Sequence, residues 1–198
     1  MELSIASVAS TGLPFVLAAY RNPQSLRILD NDLEASTLCS VARRASVSQG
    51  RALVGVWKRS LATSIDSSTQ DVESIRALET FAGSLRVSSS MPSSTRMNGH
   101  LPVAWGAVTR AMSIPLRIAA YVFLFKHAQS ILSAAVRASV IGSYQAQTSL
   151  ACVWLQNAIK HALCVEWETL PEDAGQVVPI MDLWMGLHEK LYSRIFNS

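Results

Sequence analysis

The sequence predicts an all-α protein, a compact multi-helix bundle, on three observations. Apolar residues recur at steps of three and four along much of the chain, as on one face of a helix, while the alternation typical of a half-buried strand is nowhere sustained. No internal repeat of fixed period is evident, which favours a bundle over a solenoid. The length of 198 residues suits one sizeable core, so we expect a single domain over residues 1–198.

The first half of the chain predicts two helices. Residues 31–61 predict one long helix, because their apolar side chains fall on roughly one side and Gly50 and Gly55 weaken it without ending it. Those apolar residues are Leu38, Val41, Ala45, Ala52, Val56 and Trp57. A second, amphipathic helix is predicted from Ile75, Leu78, Phe81 and Leu85. Asp71 is placed to cap it, and the charge of Glu73 suits its first turn.

The second half predicts two more helices and two loops. Residues 116–140, which follow Pro115, are apolar nearly all round, and this is typical of a helix buried at the centre of a bundle. Residues 143–165 continue a helical pattern after Gly142, which permits a turn between the two helices. The Ser-rich stretch 87–100 predicts a flexible insert, and the Pro-bounded stretch 170–179 predicts a connector.

Composition narrows the class of function. Seventeen Lys and Arg against 14 Asp and Glu give a net charge of +3, far from the concentrated basic field of a nucleic-acid-binding surface. Only 16% of the residues are charged, whereas about 25% is typical, so we expect a partner protein to cover part of the surface. Cys39, Cys152 and Cys164 are too widely spaced for a disulfide framework, which indicates reduced thiols in the cytoplasm.

Two apolar stretches raise the question of a membrane. Residues 3–20 resemble a secretory signal, but the start that precedes them is acidic rather than basic. The run at 118–125 is bounded by Arg117 and Lys126, whereas a membrane span needs about 20 residues. We therefore expect no membrane insertion, and a membrane-surface protein that uses residues 3–20 is kept as an alternative.

The sequence contains none of the familiar catalytic signatures. It has no Gly-rich phosphate loop, no GxSxG elbow and no HExxH motif, so we predict that the protein is not an enzyme. His161 and Cys164 share one face of a predicted helix and are weak candidates for metal ligands, because a structural zinc site needs four ligands. We expect no tightly bound cofactor. A cytosolic metal- or redox-binding protein that uses Cys152, His161 and Cys164 is the alternative.

A basic strip is also predicted on the surface. Arg44, Arg51 and Lys58 are spaced by seven residues and therefore lie on one stripe of the predicted long helix. They form either a solvated face or a docking strip for an acidic partner. The salt dependence of binding separates these two interpretations.

Four segments of the chain resemble the urease accessory protein F family, and their amino-acid sequences resemble its fungal members most. These segments are residues 32–60, 99–112, 124–147 and 182–198, and they follow one another in the family's order and spacing. The most specific internal part is SAAVR at 133–137, followed by Gly142 and Gln147. The tail carries matching residues at Asp182, Met185, His188, Glu189, Ser193, Arg194, Phe196 and Ser198.

The resemblance implies an all-α, non-catalytic scaffold that dimerises. Such a scaffold binds the accessory protein of the D or H type and through it recruits the accessory GTPase, so that nickel reaches the active site of the urease apoprotein. In that family the C-terminal tail, here 182–198, orders against the partner, and the arginine that matches Arg194 helps to lock it. Tyr192 lies in the same segment, and arginine and aromatic side chains are enriched where a surface is buried against another protein.

The tail is accordingly our candidate site. We expect it to bind the partner through Asp182, His188, Glu189, Tyr192, Ser193, Arg194 and Phe196. The alternative is that the tail packs on its own bundle. Both interpretations hold, one after the other, if the tail is disordered when free and ordered when bound.

The chain departs from the family pattern in several places. Family members normally begin some tens of residues earlier, with a Leu-Pro-x-Gly motif that is not matched here, so we expect the chain to start inside the fold. A shortened, inactive form of the scaffold is therefore a further alternative. Ser130, Ser143 and Ile195 stand where the family usually has Asn, Gln and Leu.

Overall fold

The computed structural model describes residues 1–63, 71–87, 97–177 and Leu187. Within these ranges it contains eight α-helices and no strand, which confirms the predicted all-α fold. The helices are α1 (Glu2–Arg21), α2 (Leu26–Ser36), α3 (Ser40–Arg59), α4 (Val72–Val87), α5 (Leu101–Ala111), α6 (Leu116–Arg137), α7 (Ser143–Ala151) and α8 (Val153–Glu166). Short 3-10 turns lie at Pro23–Ser25, Leu61–Thr63 and Pro171–Asp173.

The chain divides into two compact units, and the division falls within α1 and α6. The central unit comprises Phe15–Ala119, and the terminal unit comprises Met1–Pro14 together with Ala120–Asn197. The prediction of one domain over residues 1–198 stays a prediction.

In the central unit α3 packs along α5, and a glycine allows the close approach. A Cβ atom added at Gly50 of α3 would overlap the carbonyl oxygen of Gly99 and lie 2.7 Å from the amide nitrogen of Leu101. A side chain at this position would therefore push the start of α5 away. The buried apolar residues that fill this core include Leu17, Leu29, Trp57, Leu78, Phe81, Val103 and Val108.

An ion pair ties α4 to α5 in the same unit. Asp71 caps α4 as predicted, because its Oδ1 accepts a hydrogen bond of 3.2 Å from the amide of Ser74. Its Oδ2 accepts from Nε and Nη2 of Arg110, at 2.8 and 2.7 Å. The hydrogen bond from Arg110, followed by that from Ser74, holds the pKa of the Asp71 carboxyl below its ordinary value. The Arg110 guanidinium also lies 5.3 Å from the ring centroid of Tyr20.

The terminal unit buries apolar residues of α1, α6 and α8. These include Ile5, Ala9, Leu13, Leu124, Ala128, Leu132, Leu155 and Ile159. His127 of α6 is hydrogen-bonded through Nε2 to Oγ of Ser4 at 3.0 Å. Burial lowers the pKa of His127 from its ordinary value, and hydrogen bonding to Ser4 acts in the opposite direction. Gln176 donates to Oγ of Ser7 at 2.8 Å and so fixes the chain that follows the turn Pro171–Asp173.

The prediction of one helix over residues 31–61 is wrong, because the chain leaves the helix between α2 and α3. Thr37 and Cys39 have extended backbones, and the Thr37 hydroxyl donates to the carbonyl of Leu33 at 2.6 Å. The Cys39 sulfur then caps α3 by accepting from the amide of Ala42. Leu38, placed on the apolar side by the sequence pattern, is 80% exposed.

The prediction of one helix over residues 143–165 is wrong for the same reason. Cys152 is extended, ends α7 and caps α8, and its sulfur accepts from the amide of Leu155 at 3.4 Å. At both breaks a cysteine serves as the N-cap of the helix that follows.

The predicted central helix exists as α6, but its expected burial is wrong. Only 33% of its most apolar 18-residue window is buried, against 61% of the corresponding window of α1. Both helices are long and apolar enough to cross a membrane by length and composition alone, a test that the core helix of a globular protein also passes. At the far end, Ser139 has a left-handed backbone and Val140 is 73% exposed, so the helical pattern stops at Arg137.

Candidate interaction surfaces

The sequence-predicted site in the tail lies outside the described residues. This holds for Asp182, His188, Glu189, Tyr192, Ser193, Arg194 and Phe196. Of the predicted Ser-rich insert 87–100, residues 88–96 also lie outside them, as do residues 178 and 179 of the predicted connector. The partner-binding role of the tail therefore stays a prediction.

A buried carboxylate organises the segment that leads into α5. Asp30 of α2 is fully buried and accepts hydrogen bonds from three consecutive backbone amides. Its Oδ2 accepts from Asn98 at 2.8 Å, its Oδ1 accepts from His100 at 2.8 Å, and both oxygens accept from Gly99. A carboxylate that bonds several amides in this way is a strong, charge-assisted anchor. The positive φ of Gly99 lets the backbone present the three amides together.

His100 extends this anchor into a network. The side chain is fully buried, with Nε2 2.8 Å from Oε2 of Glu34 and Nδ1 3.2 Å from Oγ of Ser46. Ser46 also accepts from the amide of Leu101, and Glu34 pairs with Arg43 at 3.4 Å. Every side chain in the network thus has a partner, as expected of buried polar groups. Sequence reasoning misses this role of His100, because its partners Glu34 and Ser46 lie far away along the chain.

The predicted basic strip is brought together only in part. Arg44 and Lys58 are exposed on α3, whereas Arg51 is half-buried. Arg51 donates from Nε to the carbonyl of Asn98 and from Nη2 to that of Met97, at 2.7 and 2.9 Å. Its guanidinium therefore holds the same segment that Asp30 anchors. A docking role for the strip stays a prediction, with Arg51 engaged inside its own unit.

The weak metal candidates lie at the surface of α8. His161 and Cys164 are both exposed. Among the residues that the structure describes, no group of three or more His, Cys, Asp or Glu side chains is placed to hold a metal ion. Within that described part, the pair lacks the further ligands that a structural zinc site needs.

Exposed apolar side chains concentrate on the terminal unit. On α7 and α8 these are Tyr144 (89% exposed), Val153 (68%), Trp154 (51%) and Val165 (60%). Trp154, His161 and Val165 are seven and four residues apart, so they lie along one line of α8, on a different side of the helix from the buried Leu155 and Ile159. Trp154 and Val165 therefore place apolar side chains along one exposed line of α8, which is typical of a protein interface.

The comparisons with known proteins agree with one another. The sequence model of the UreF family matches residues 4–153. A Schizosaccharomyces pombe protein described as an uncharacterized urease accessory protein UreF-like is 36% identical over 198 residues, which cover all of this chain and 80% of the relative. Urease accessory protein 6 of Cryptococcus neoformans is 30% identical, with 88% of this chain and 64% of its own length covered. Urease accessory protein F of Oryza sativa is 29% identical, with 97% and 67% covered. No solved structure matches the chain with significance.

Proposed function

The chain belongs to the UreF family of urease accessory proteins, and on that basis we propose that it is a non-catalytic scaffold for urease maturation. It binds the accessory protein of the D or H type through its C-terminal segment and recruits the accessory GTPase. The assembly then inserts nickel into the urease apoprotein, and nickel is its cargo rather than a resident cofactor of this chain. The observation that carries the proposal is the family match over residues 4–153.

The tail is supported as the docking segment by two observations. The alignment with the Schizosaccharomyces pombe relative covers the whole chain and therefore includes residues 182–198. That segment also combines an arginine with Tyr192 and Phe196, and arginine and aromatic residues dominate the binding energy of interfaces. Arg194 is the residue whose loss we expect to matter most, since a guanidinium fork binds a partner's carboxylate or carbonyl groups in a fixed geometry.

The described surface supports a scaffold as well. A protein that works by binding others needs apolar surface to bury, and α7 and α8 expose Tyr144, Trp154 and Val165. The scaffold is proposed to be a homodimer that acts in the cytoplasm. Reduced Cys39, Cys152 and Cys164 accord with that location, and none of the three forms a disulfide.

The experiment is a quantitative pull-down with the D/H-type accessory protein from the same organism. Wild-type chain should retain the partner, and Arg194→Ala should raise the Kd at least tenfold, the size expected when an interface hot spot is truncated. Lys190→Ala is the matched control, because it removes a positive charge from the same segment at a position outside the predicted set. Equal binding by all three proteins would refute the role given to Arg194, and no binding by the wild type would refute the scaffold.

A further inference from the structure

A groove on the central unit has the chemistry of a second docking site. It has a volume of about 280 Å³ and lies between the turn that precedes α2 and the exposed side of α4. Buried Leu26, Phe81 and Met97 line its apolar floor. Polar side chains of Gln24, Thr80 and Ser84 and the guanidinium groups of Arg27 and Arg76 line its sides.

The two arginines of the groove offer guanidinium groups that are not engaged by described side chains. Arg27 and Arg76 are exposed, and neither guanidinium group has a hydrogen-bond or ion-pair partner in the part of the chain that the structure describes. By contrast, Arg43 pairs with Glu34 and Arg110 pairs with Asp71. The groove therefore presents two unused guanidinium forks beside an apolar floor, and such forks bind carboxylates.

The polar side chains argue against a cradle for a small anion. The hydroxyls of Thr80 and Ser84 donate back along α4, to the carbonyls of Arg76 and Thr80 at 2.9 and 3.0 Å. The amide of Gln24 is engaged by Glu73 at 2.9 Å. Since these hydroxyls and one N–H of Gln24 are occupied, the guanidinium groups are the charged donors that the lining residues offer to an anion. Glu73, one helical turn before Arg76, would repel a carboxylate at that end of the groove.

The size of the groove selects the kind of occupant. Pockets that bury a whole small-molecule ligand have volumes of about 300–1,000 Å³, and this open groove is slightly smaller. It has room for one apolar side chain, and Met97 gives the floor a thioether that adapts to different shapes. We propose that the groove docks an acidic segment of a partner protein, in which one apolar side chain is flanked by Asp or Glu. The lining residues named above all lie outside the C-terminal segment 182–198.

The test is a fluorescence-anisotropy titration of the full chain with a labelled peptide that carries a leucine flanked by glutamates. Arg27→Glu and Arg76→Glu should each weaken binding about fivefold, the upper range for one exposed charge pair, and about twentyfold together. Arg86→Glu is the matched control, since it is exposed on the same helix outside the groove, and it should bind within about twofold of wild type. In methyl-labelled protein, the Met97 signal should shift on titration, and Met97→Leu identifies that signal.

Several results would overturn the proposal. The first is no binding by the wild type, and the second is equal binding of a peptide with glutamines in place of the glutamates. A Met97 signal that stays in place, or equal effects of Arg86→Glu and Arg76→Glu, would also do so. Competition by inorganic phosphate or by phosphatidylserine vesicles at matched charge would show that charge alone is recognised. Self-association of the chain would also overturn the proposal if it is lost both in the Arg27→Glu variant and in the double variant Glu172→Arg/Asp173→Arg. The occupant of the groove would then be a second copy of the chain. The pull-down through Arg194 is unaffected by each of these results.

Discussion

Replacing Asp30 tests the buried anchor, and the structure sets the expected magnitude. Asp30→Ala leaves the amides of Asn98, Gly99 and His100 without their acceptor. An orphaned buried amide costs about 1–3 kcal/mol, and water that enters the vacated space offsets part of the sum, so we expect a loss of about 3–5 kcal/mol. That is a large share of the 5–15 kcal/mol of net stability typical of a folded protein.

The isosteric variant gives a graded result. Asp30→Asn keeps one oxygen, which can serve two of the amides, but it places an NH2 group beside the third donor, so we expect about half of the loss of Asp30→Ala. The assay is urea unfolding followed by circular dichroism at constant pH. Asp32→Asn, at an exposed neighbouring position, should change the unfolding free energy by less than about 0.5 kcal/mol. A loss for Asp30→Ala no greater than that of Asp32→Asn would refute the anchor.

Three further predictions follow from packing and titration. Gly50→Ala should destabilise the protein by about 1–3 kcal/mol or more, because the added Cβ meets the backbone before α5. Gly83 on α4 has open space around it, so Gly83→Ala should stabilise the protein by about 0.5–1 kcal/mol in the same urea assay. The pKa of Asp71 is depressed in the folded state. Its contribution to the free energy of unfolding is therefore present above the unfolded-state pKa of about 3.9 and is lost as the pH falls below that value. Arg110→Gln should make this acid-induced loss shallower and raise the midpoint of the Asp71 carboxyl in an NMR titration; an unchanged midpoint would contradict the assignment. The pKa of His127 is also depressed, so stability should fall as the pH drops below about 6.5, and His127→Gln should flatten that fall; an unchanged fall would contradict the assignment.

Local signals in the sequence predict part of this fold. The sequence predicts α4 correctly from the spacing of Leu78, Phe81 and Leu85 and from the cap at Asp71. Both signals are contained within a few neighbouring residues. The breaks at Cys39 and Cys152 are missed, since the usual N-cap residues are Ser, Thr, Asp and Asn and a sulfur acceptor is not among them.

Contacts between distant segments are the part that the sequence does not predict. Asp30 and Asn98 are 68 residues apart, and nothing in either segment alone indicates that one carboxylate serves three amides of the other. The groove also depends on segments that are distant along the chain, because Arg27 and Arg76 come from separate helices. Low polarity predicts burial of α6, yet an apolar helix can also leave one side exposed, and period alone does not distinguish the two.

The most direct measurement of the proposed role is the nickel content of urease purified from a strain that lacks its own family member. Expression of this chain should restore nickel to the urease, Lys190→Ala should restore it equally, and Arg194→Ala should restore little. Urease that stays empty although the chain is folded and binds the D/H-type accessory protein would contradict the account.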